Sequence, residues 1–163
     1  PPPSSGDAAK SDTHTPAPSP GAGAPSEPDQ QTLLLKAEET AKGFAAALAR
    51  GDLPAAEAYL FTREDFQTVI HAGHRAILEG TVRTQNSTLV NKLVETLKGK
   101  VVLATFRPGS LTRSGTKGTF QKDFPVLGTS AIAMDAGGVP LEVHLDQMVF
   151  TEKGWRIFRL SLP

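Results

Sequence analysis

The stretch VPLEVHLDQMVFTEKGWRIFRLSLP, residues 139–163, decides the fold class. It reads as two strands of period two joined at residues 151–154. With a four-residue loop in which Gly154 supplies a positive φ, Phe150 falls opposite Trp155, Met148 opposite Ile157, Asp146 opposite Arg159 and His144 opposite Ser161. Aromatic meets aromatic and acid meets base. The other face pairs Leu145 with Leu160 and Val143 with Leu162 at one end, but Val149 with Arg156 at the turn end. Each face is therefore apolar over only half its length, which predicts a strongly twisted, curling sheet rather than a flat one. A three-residue loop would set Asp146 against Leu160, a mismatch that rules it out.

Upstream, GTFQKDFPV (residues 118–126) reads as a further strand. KVVLATFRPG (residues 100–109) is another, and TSAIAMDAGGVPLEVHLDQMVF is a hairpin turning near Ala136, Gly137 and Gly138. Before Lys100 the period is helical. Leu33, Ala37, Ala41, Phe44 and Leu48 form one face of a helix that Gly51 ends, and Asp52 caps a short helix with Pro54 in its first turn and Leu53, Ala56 and Leu60 inside. Thr62 and Asp65 are spaced as a capping box for a third helix over residues 63–79, buried through Phe66, Val69, Ile70 and Ile77. A fourth helical stretch begins after Gly80, from about Ser87, and ends at Gly99. Helices first and an antiparallel sheet afterwards define an α+β domain, N-terminal helices packed on a strongly curved antiparallel sheet.

That domain is expected over residues 32–163. Residues 1–31 hold eight of the 13 prolines and no aromatic, Val, Ile or Leu, so they cannot bury enough apolar surface to offset ordering entropy and are expected to be a disordered tether. If flexible, such a tether has an r.m.s. reach of about 30 Å. The chain carries 17 basic and 17 acidic residues; four acids and Lys10 lie in the tail, which leaves 16 basic against 13 acidic residues, or +3, in the domain. That excess is too small to point to nucleic acid. The absence of Cys excludes disulfides, thiolate catalysis and Cys-ligated zinc in this chain. No run approaches the roughly 18 apolar residues of a membrane span. The chain opens on Pro1 followed by a Pro/Ser/Ala/Gly spacer, the pattern found behind a processed signal peptide. The expectation is an exported bacterial protein, periplasmic or tethered to a membrane as a lipoprotein.

Two segments carry a family resemblance. FAAALARGDLPAAEAYL, residues 44–60, resembles the opening helix pair of the nuclear-transport-factor-2-like (cystatin-like) superfamily, and MVFTEKGWRIFRL, residues 148–160, is similar to its last hairpin. The resemblance implies a cone of curled sheet closed by helices. Some members are isomerase-like or cyclase-like enzymes with Asp, His or Tyr inside the cone, and many exported ones are tethered modules. The strand expected between the second and third helices is not evident and the helical run continues to residue 98, which implies an outlying branch.

The candidate residues follow from this. Glu142, His144 and Asp146 share a strand face and, in a dry cone, would serve as general base, shuttle and orienting acid. The plainer reading pairs Asp146 with Arg159 and leaves the others in water. His71 and His74 stand one helical turn apart but lack a third ligand, so no metal and no cofactor is expected. NST at residue 86 matches a glycosylation acceptor pattern with a high false-positive rate. Residues 98–122 hold Lys98, Lys100, Arg107, Arg113, Lys117 and Lys122 and no acid, the composition of a basic tongue that meets an anionic surface or an acidic envelope protein. Two function classes are carried forward. A non-enzymatic extracytoplasmic binding or assembly module ranks first, with contact through Lys100, Arg107, Arg113, Lys117 and Lys122. A small cone-pocket enzyme using Glu142, His144 and Asp146 ranks second.

Overall fold

Asp29 starts the first helix: its carboxylate accepts the Thr32 N–H at 2.8 Å, satisfying a donor that the helix itself cannot. Helix α1 then spans Gln30–Arg50, so Gln30 and Gln31, assigned to the tail by composition, belong to its first turn. The computed structural model describes residues 27–163; the expected disorder of the tail lies outside the described residues. Gly51 ends α1 in the left-handed conformation (φ 71°), where a side chain would also press on the stem of Lys98. Asp52 caps α2 (Leu53–Glu57) through the Ala55 N–H. Thr62 and Asp65 form the expected capping box of α3 (Arg63–Val69).

From here the helices differ from expectation. Helix α3 stops at Val69, and Ile70 turns extended to bridge Phe120, with His71 N–H donating to Thr119 and Gln121 N–H to Val69, both at 2.9 Å. Backbone pairing with a distant loop thus overrides a helical pattern that continues locally. Helix α4 (Ala72–Leu97) then runs unbroken through Gly80, and Ile77, expected in the core, is 75% exposed.

The strands are β1 (Val102–Arg107), β2 (Ser110–Arg113), β3 (Pro125–Ala136), β4 (Pro140–Thr151) and β5 (Gly154–Ser161). They form one antiparallel five-stranded sheet in the order β1-β3-β4-β5, with β2 also on β3. The domain is α+β. Residues 118–124 do not form the expected strand; only Phe120 makes an isolated bridge, while residues 110–113, read as loop, pair with the start of β3.

The last hairpin keeps its expected register at both ends, with Phe150 opposite Trp155 and His144 opposite Ser161, but Gln147 rather than Asp146 faces Arg159. Asp146 is an extra residue on β4 and Phe158 one on β5, and the two shifts cancel. The same level of the sheet is irregular in its other strands. Thr129 in β3 has φ 54°, and Pro108 and Gly109 interrupt the edge between β1 and β2, whose registers against β3 are otherwise continuous. A Cβ on Gly109 would lie 1.7 Å from the Gly128 carbonyl oxygen, so only glycine fits there.

This row inverts the side-chain alternation of each strand it crosses. The largest buried cluster takes Leu127 before the row and Ile132, Met134 and Ala136 after it; on β4 it takes Val143 and Leu145, then Met148; on β5 it takes Ile157, then Leu160. One physical face is therefore continuously apolar, and the half-apolar faces read from strict alternation arise from the inserted residues. Leu33, Phe44 and Leu48 of α1 and Val90, Leu93 and Leu97 of α4 belong to this cluster, and the Trp155 indole N–H donates to the Leu33 carbonyl at 2.8 Å. A second cluster gathers Val126, Val149 and Phe158 with Phe61, Phe66, Ile70 and Phe120. Because Val126 neighbours Leu127, and Val149 neighbours Met148, it occupies the opposite side of the sheet.

The outer edge of β5 is closed by two devices. Residues 59–61 pair with Ile157 through Phe61 N–H to Ile157 O (3.0 Å) and Ile157 N–H to Tyr59 O (2.8 Å). Asn86, 2% exposed on α4, donates to the Phe158 carbonyl at 3.0 Å and accepts from the Leu160 N–H at 3.3 Å. Its amide is spent inside the fold, which removes it as a glycosylation acceptor in the native state. Replacing Asn86 by Ala leaves both backbone groups unpaired and is expected to cost about 1–3 kcal/mol in urea unfolding, against under about 0.5 kcal/mol for exposed Asn91→Ala. Gly109→Ala is expected to cost a similar 1–3 kcal/mol or so through forced backbone displacement. Equal midpoints for the two Asn variants would contradict the edge assignment.

Candidate functional site

Register brings Arg107, Ala131, His144 and Ser161 into one row across the sheet, with Thr105, Ala133 and Glu142 in the next. The small alanines leave room between the ionisable residues on either side. His144 Nε2 lies 2.7 Å from Glu142 Oε1, and the other Glu142 oxygen is ion-paired with Arg107. The hydrogen bond from His144, with the charge of Arg107 behind it, holds the Glu142 carboxyl below its ordinary range. Both Glu142 and His144 are about one-third exposed.

Asp146 does not join them. It accepts from Ser161 Oγ at 3.0 Å, and the expected ion pair with Arg159 does not form because of the inserted residues; Arg159 instead stacks over the Phe158 ring at 5.8 Å. The order of partners matters chemically. A nucleophilic serine needs its proton taken by an imidazole that an acid orients. Here the hydroxyl bonds to one carboxylate and the imidazole to another, so the row holds two separate pairs and no relay.

The basic tongue is partly tied down. Arg113 bonds Asp123 Oδ2 at 3.0 Å, the Asp123 carbonyl at 3.0 Å, and Glu27. The acids missing from residues 98–122 thus arrive from Glu27, Asp123 and Glu142, outside the segment. Gly115 N–H donates to Asp123 Oδ1 at 2.8 Å; this bond, then Arg113, pulls the Asp123 carboxyl below its ordinary range. Ser114 and Phe124 close the base of the loop, Phe120 is buried, and His71 Nε2 lies 3.1 Å from the Thr116 carbonyl. The segment is a strap across the α3–α4 junction rather than a free tongue. Lys100, Lys117 and Lys122 form no ion pair among the described residues and are exposed.

His74 is exposed, and His71 is engaged by the strap. Among the described residues no group of three metal-ligating side chains converges, and no helix is long and apolar enough to cross a membrane. Two concavities among the described residues stand out, and neither is lined by Glu142, His144 or Asp146. A groove of about 950 Å³ lies between residues 57–63 and the polar side of α4, where Glu79 is shared by Arg63 and Arg83 at 3.1 Å each. A smaller pocket of about 160 Å³ is lined by buried Asp65 with Lys122 and Lys153. Sequence spacing flags Asp65 as a cap, but its Arg156 partner, 3.6 Å away on β5, leaves no local signal. No protein-family model, no curated protein and no solved structure matches the chain.

The depressed carboxylates of Glu142 and Asp123 contribute to a pH response. A carboxyl whose folded pKa lies below its unfolded value contributes stability that is complete above the unfolded value and lost as pH falls through the folded one. Carboxyl NMR titration should find Glu142 below the ordinary value of about 4.3. It should return toward that value in His144→Ala and, to a lesser degree, in Arg107→Met. The Gly115 amide should lose exchange protection as pH drops below about 4, as Asp123 protonates. A Glu142 titration unmoved by both substitutions would show that neither contact persists in solution.

Proposed function

We propose that this chain is a non-enzymatic binding or assembly module, with a helix-closed, strongly curved sheet as its body and the residues before Glu27 as a flexible tether. The observation that carries the reading is how the ionisable side chains are spent. Glu142 is taken by Arg107 and His144, and Asp146 by Ser161, and none of the three lines either concavity described above, whereas Lys100, Lys117 and Lys122 remain exposed and unpaired among the described residues. An enzyme needs its acid and base converging on enclosed space. The irregular row supports the curved body, because inserted residues bend the strands that hold them. The nuclear-transport-factor-2-like resemblance of residues 44–60 and 148–160 supports the same body, and the tail composition supports an extracytoplasmic, lipoprotein-type placement.

The contact surface is the strap and the start of β1, and its partner is an anionic envelope surface or the acidic face of an envelope protein. Arg107 and Arg113, included in the basic set on composition, act in this reading as internal ties whose charge is met by Glu142, Asp123 and Glu27. The lysines carry the contact. The acid–base alternative keeps one supporting observation, the 2.7 Å bond between His144 and Glu142, and would require a substrate bound against Ala131 and Ala133.

Charge reversal separates the roles. Lys117→Glu with Lys122→Glu is expected to abolish most binding to vesicles containing anionic phospholipid, with the melting temperature unchanged within about 2 °C. Arg113→Glu, which breaks the strap, should lower the melting temperature as well. Wild-type binding should fall steeply between low and physiological salt, where exposed charges are screened within about 8 Å. Binding indifferent to salt and to the lysines would sink the electrostatic reading.

A further inference from the structure

We infer that the outer edge of β1 is a docking site for an extended, acid-bearing peptide segment of a partner protein, taken up as an added strand. This rests on the binding-module reading; it shares Lys100, just before β1, with the contact surface proposed above, but not the strap lysines Lys117 and Lys122.

The sheet treats its two edges unequally. On β5, residues 59–61 and Asn86 occupy outward backbone groups of Ile157, Phe158 and Leu160. On β1, residues 102–107 pair with β3 on the inner side, and among the described residues no other backbone or side-chain group bonds to their main chain. An antiparallel strand turns every second residue's N–H and C=O outward, so half of the β1 backbone is an unfilled template. Proteins usually blunt such an edge with a charge, a proline, a bulge or a cover. None interrupts residues 101–106, and the break comes only at Pro108 and Gly109.

The side chains along this edge are apolar as well. Of the five large hydrophobic residues that stand exposed, Val101 (79%), Leu103 (71%) and Val139 gather at this corner, with Val101 and Leu103 on one face. The inner side of the strand presents Val102, Ala104 and Phe106, each only partly covered. An incoming strand would cover both rows.

Charge selects the occupant. A second copy paired antiparallel through β1 would set the basic ends, Lys100 and Arg107, of the two molecules against each other, and like charges at cross-strand distance repel. Lys98 and Lys100 flank the start of the edge, are exposed and form no ion pair among the described residues, while Asp135, opposite Leu103, accepts the Gly138 N–H of its own turn. A partner segment with apolar residues at alternate positions and a carboxylate at its end satisfies both the apolar rows and the lysines. Main-chain pairing supplies the affinity, and alternate side chains supply the selectivity.

The test uses the full chain, 15N-labelled, and the capped peptide Glu-Val-Thr-Val-Thr-Val-Glu. Binding should raise amide exchange protection within residues 101–107 by about tenfold or more. A peptide N-methylated at alternate residues, a peptide with Lys in place of both Glu, and the protein variant Leu103→Lys should each bind about tenfold or more weakly. The Lys117→Glu, Lys122→Glu protein should bind the peptide normally while losing vesicles, so failure of this inference and failure of the electrostatic reading are distinguishable. No protection at peptide up to about 1 mM, or equal binding of the N-methylated peptide, would overturn the proposal. Concentration-dependent dimerisation in sedimentation that protects the same amides and excludes the peptide would overturn it in favour of a second copy.

Discussion

The sheet depends on one row of irregular residues crossing it from Gly109 through Thr129 to the extra residues Asp146 and Phe158. Without the row, strict alternation would send Leu127 and Ile132 to opposite sides, and no single face could be apolar from end to end. With it, strands stay in register while each reverses its alternation once, and the main cluster runs uninterrupted from Trp155 to Ala136. Each end of the row needs its own solution. At one end the backbones approach so closely that only glycine fits, with the Gly109 N–H bonded to buried Ser130 Oγ at 3.0 Å. At the other, the bulge at Phe158 leaves an edge no regular strand could follow. A side-chain amide, carrying donor and acceptor on a short stem, can follow it, and Asn86 does.

That single polar contact also positions α4. The helix spans both apolar clusters, Val82 in one and Val90, Leu93 and Leu97 in the other, with Asn86 between them. A helix with this composition has little amphipathic pattern to orient it. Its rotation is specified where the amide must reach both Phe158 and Leu160, because a buried amide left unpaired costs more than one exposed to water.

Features set by neighbouring residues were legible in the sequence. Caps at Asp52 and Thr62, the stop at Gly51, the hairpin turn at Gly137 and Gly138, and both ends of the last hairpin are local stereochemistry, and each stands where the residues place it. What failed was set at a distance. The break after Val69 needs Phe120, some 50 residues away; the brief pairing at Leu60, in the place of the strand that was not evident, needs Ile157; β2 is a strand because β3 offers its edge. The candidate face was legible as a face, since Glu142, His144 and Asp146 alternate. Its chemistry was not, because the partners that spend Glu142 and Asp146 are Arg107 and Ser161 on other strands. The missed residues Asn86 and Arg156 are polar groups in apolar surroundings, and nothing in their own neighbourhoods distinguishes them from surface residues.

The distribution of charge follows the same division between local count and spatial pairing. A segment without acids looks like a field of uncompensated cations, but arginine and lysine are used differently within it. The two arginines, whose planar guanidinium groups can hold several acceptors at fixed angles, tie Glu142, Asp123 and Glu27 to the sheet edge. The lysines, with a point charge on a flexible stem, stay in water. Within residues 98–122, residue type thus separates the paired cations from those that remain available. In the groove beside α4, Arg63 of α3 reaches Glu79 of α4, and Arg83, one turn along α4, bonds the same carboxylate oxygen. The groove is therefore walled by internal ties, whereas the lysines of the strap and the open edge of β1 meet solvent with their bonding capacity unspent.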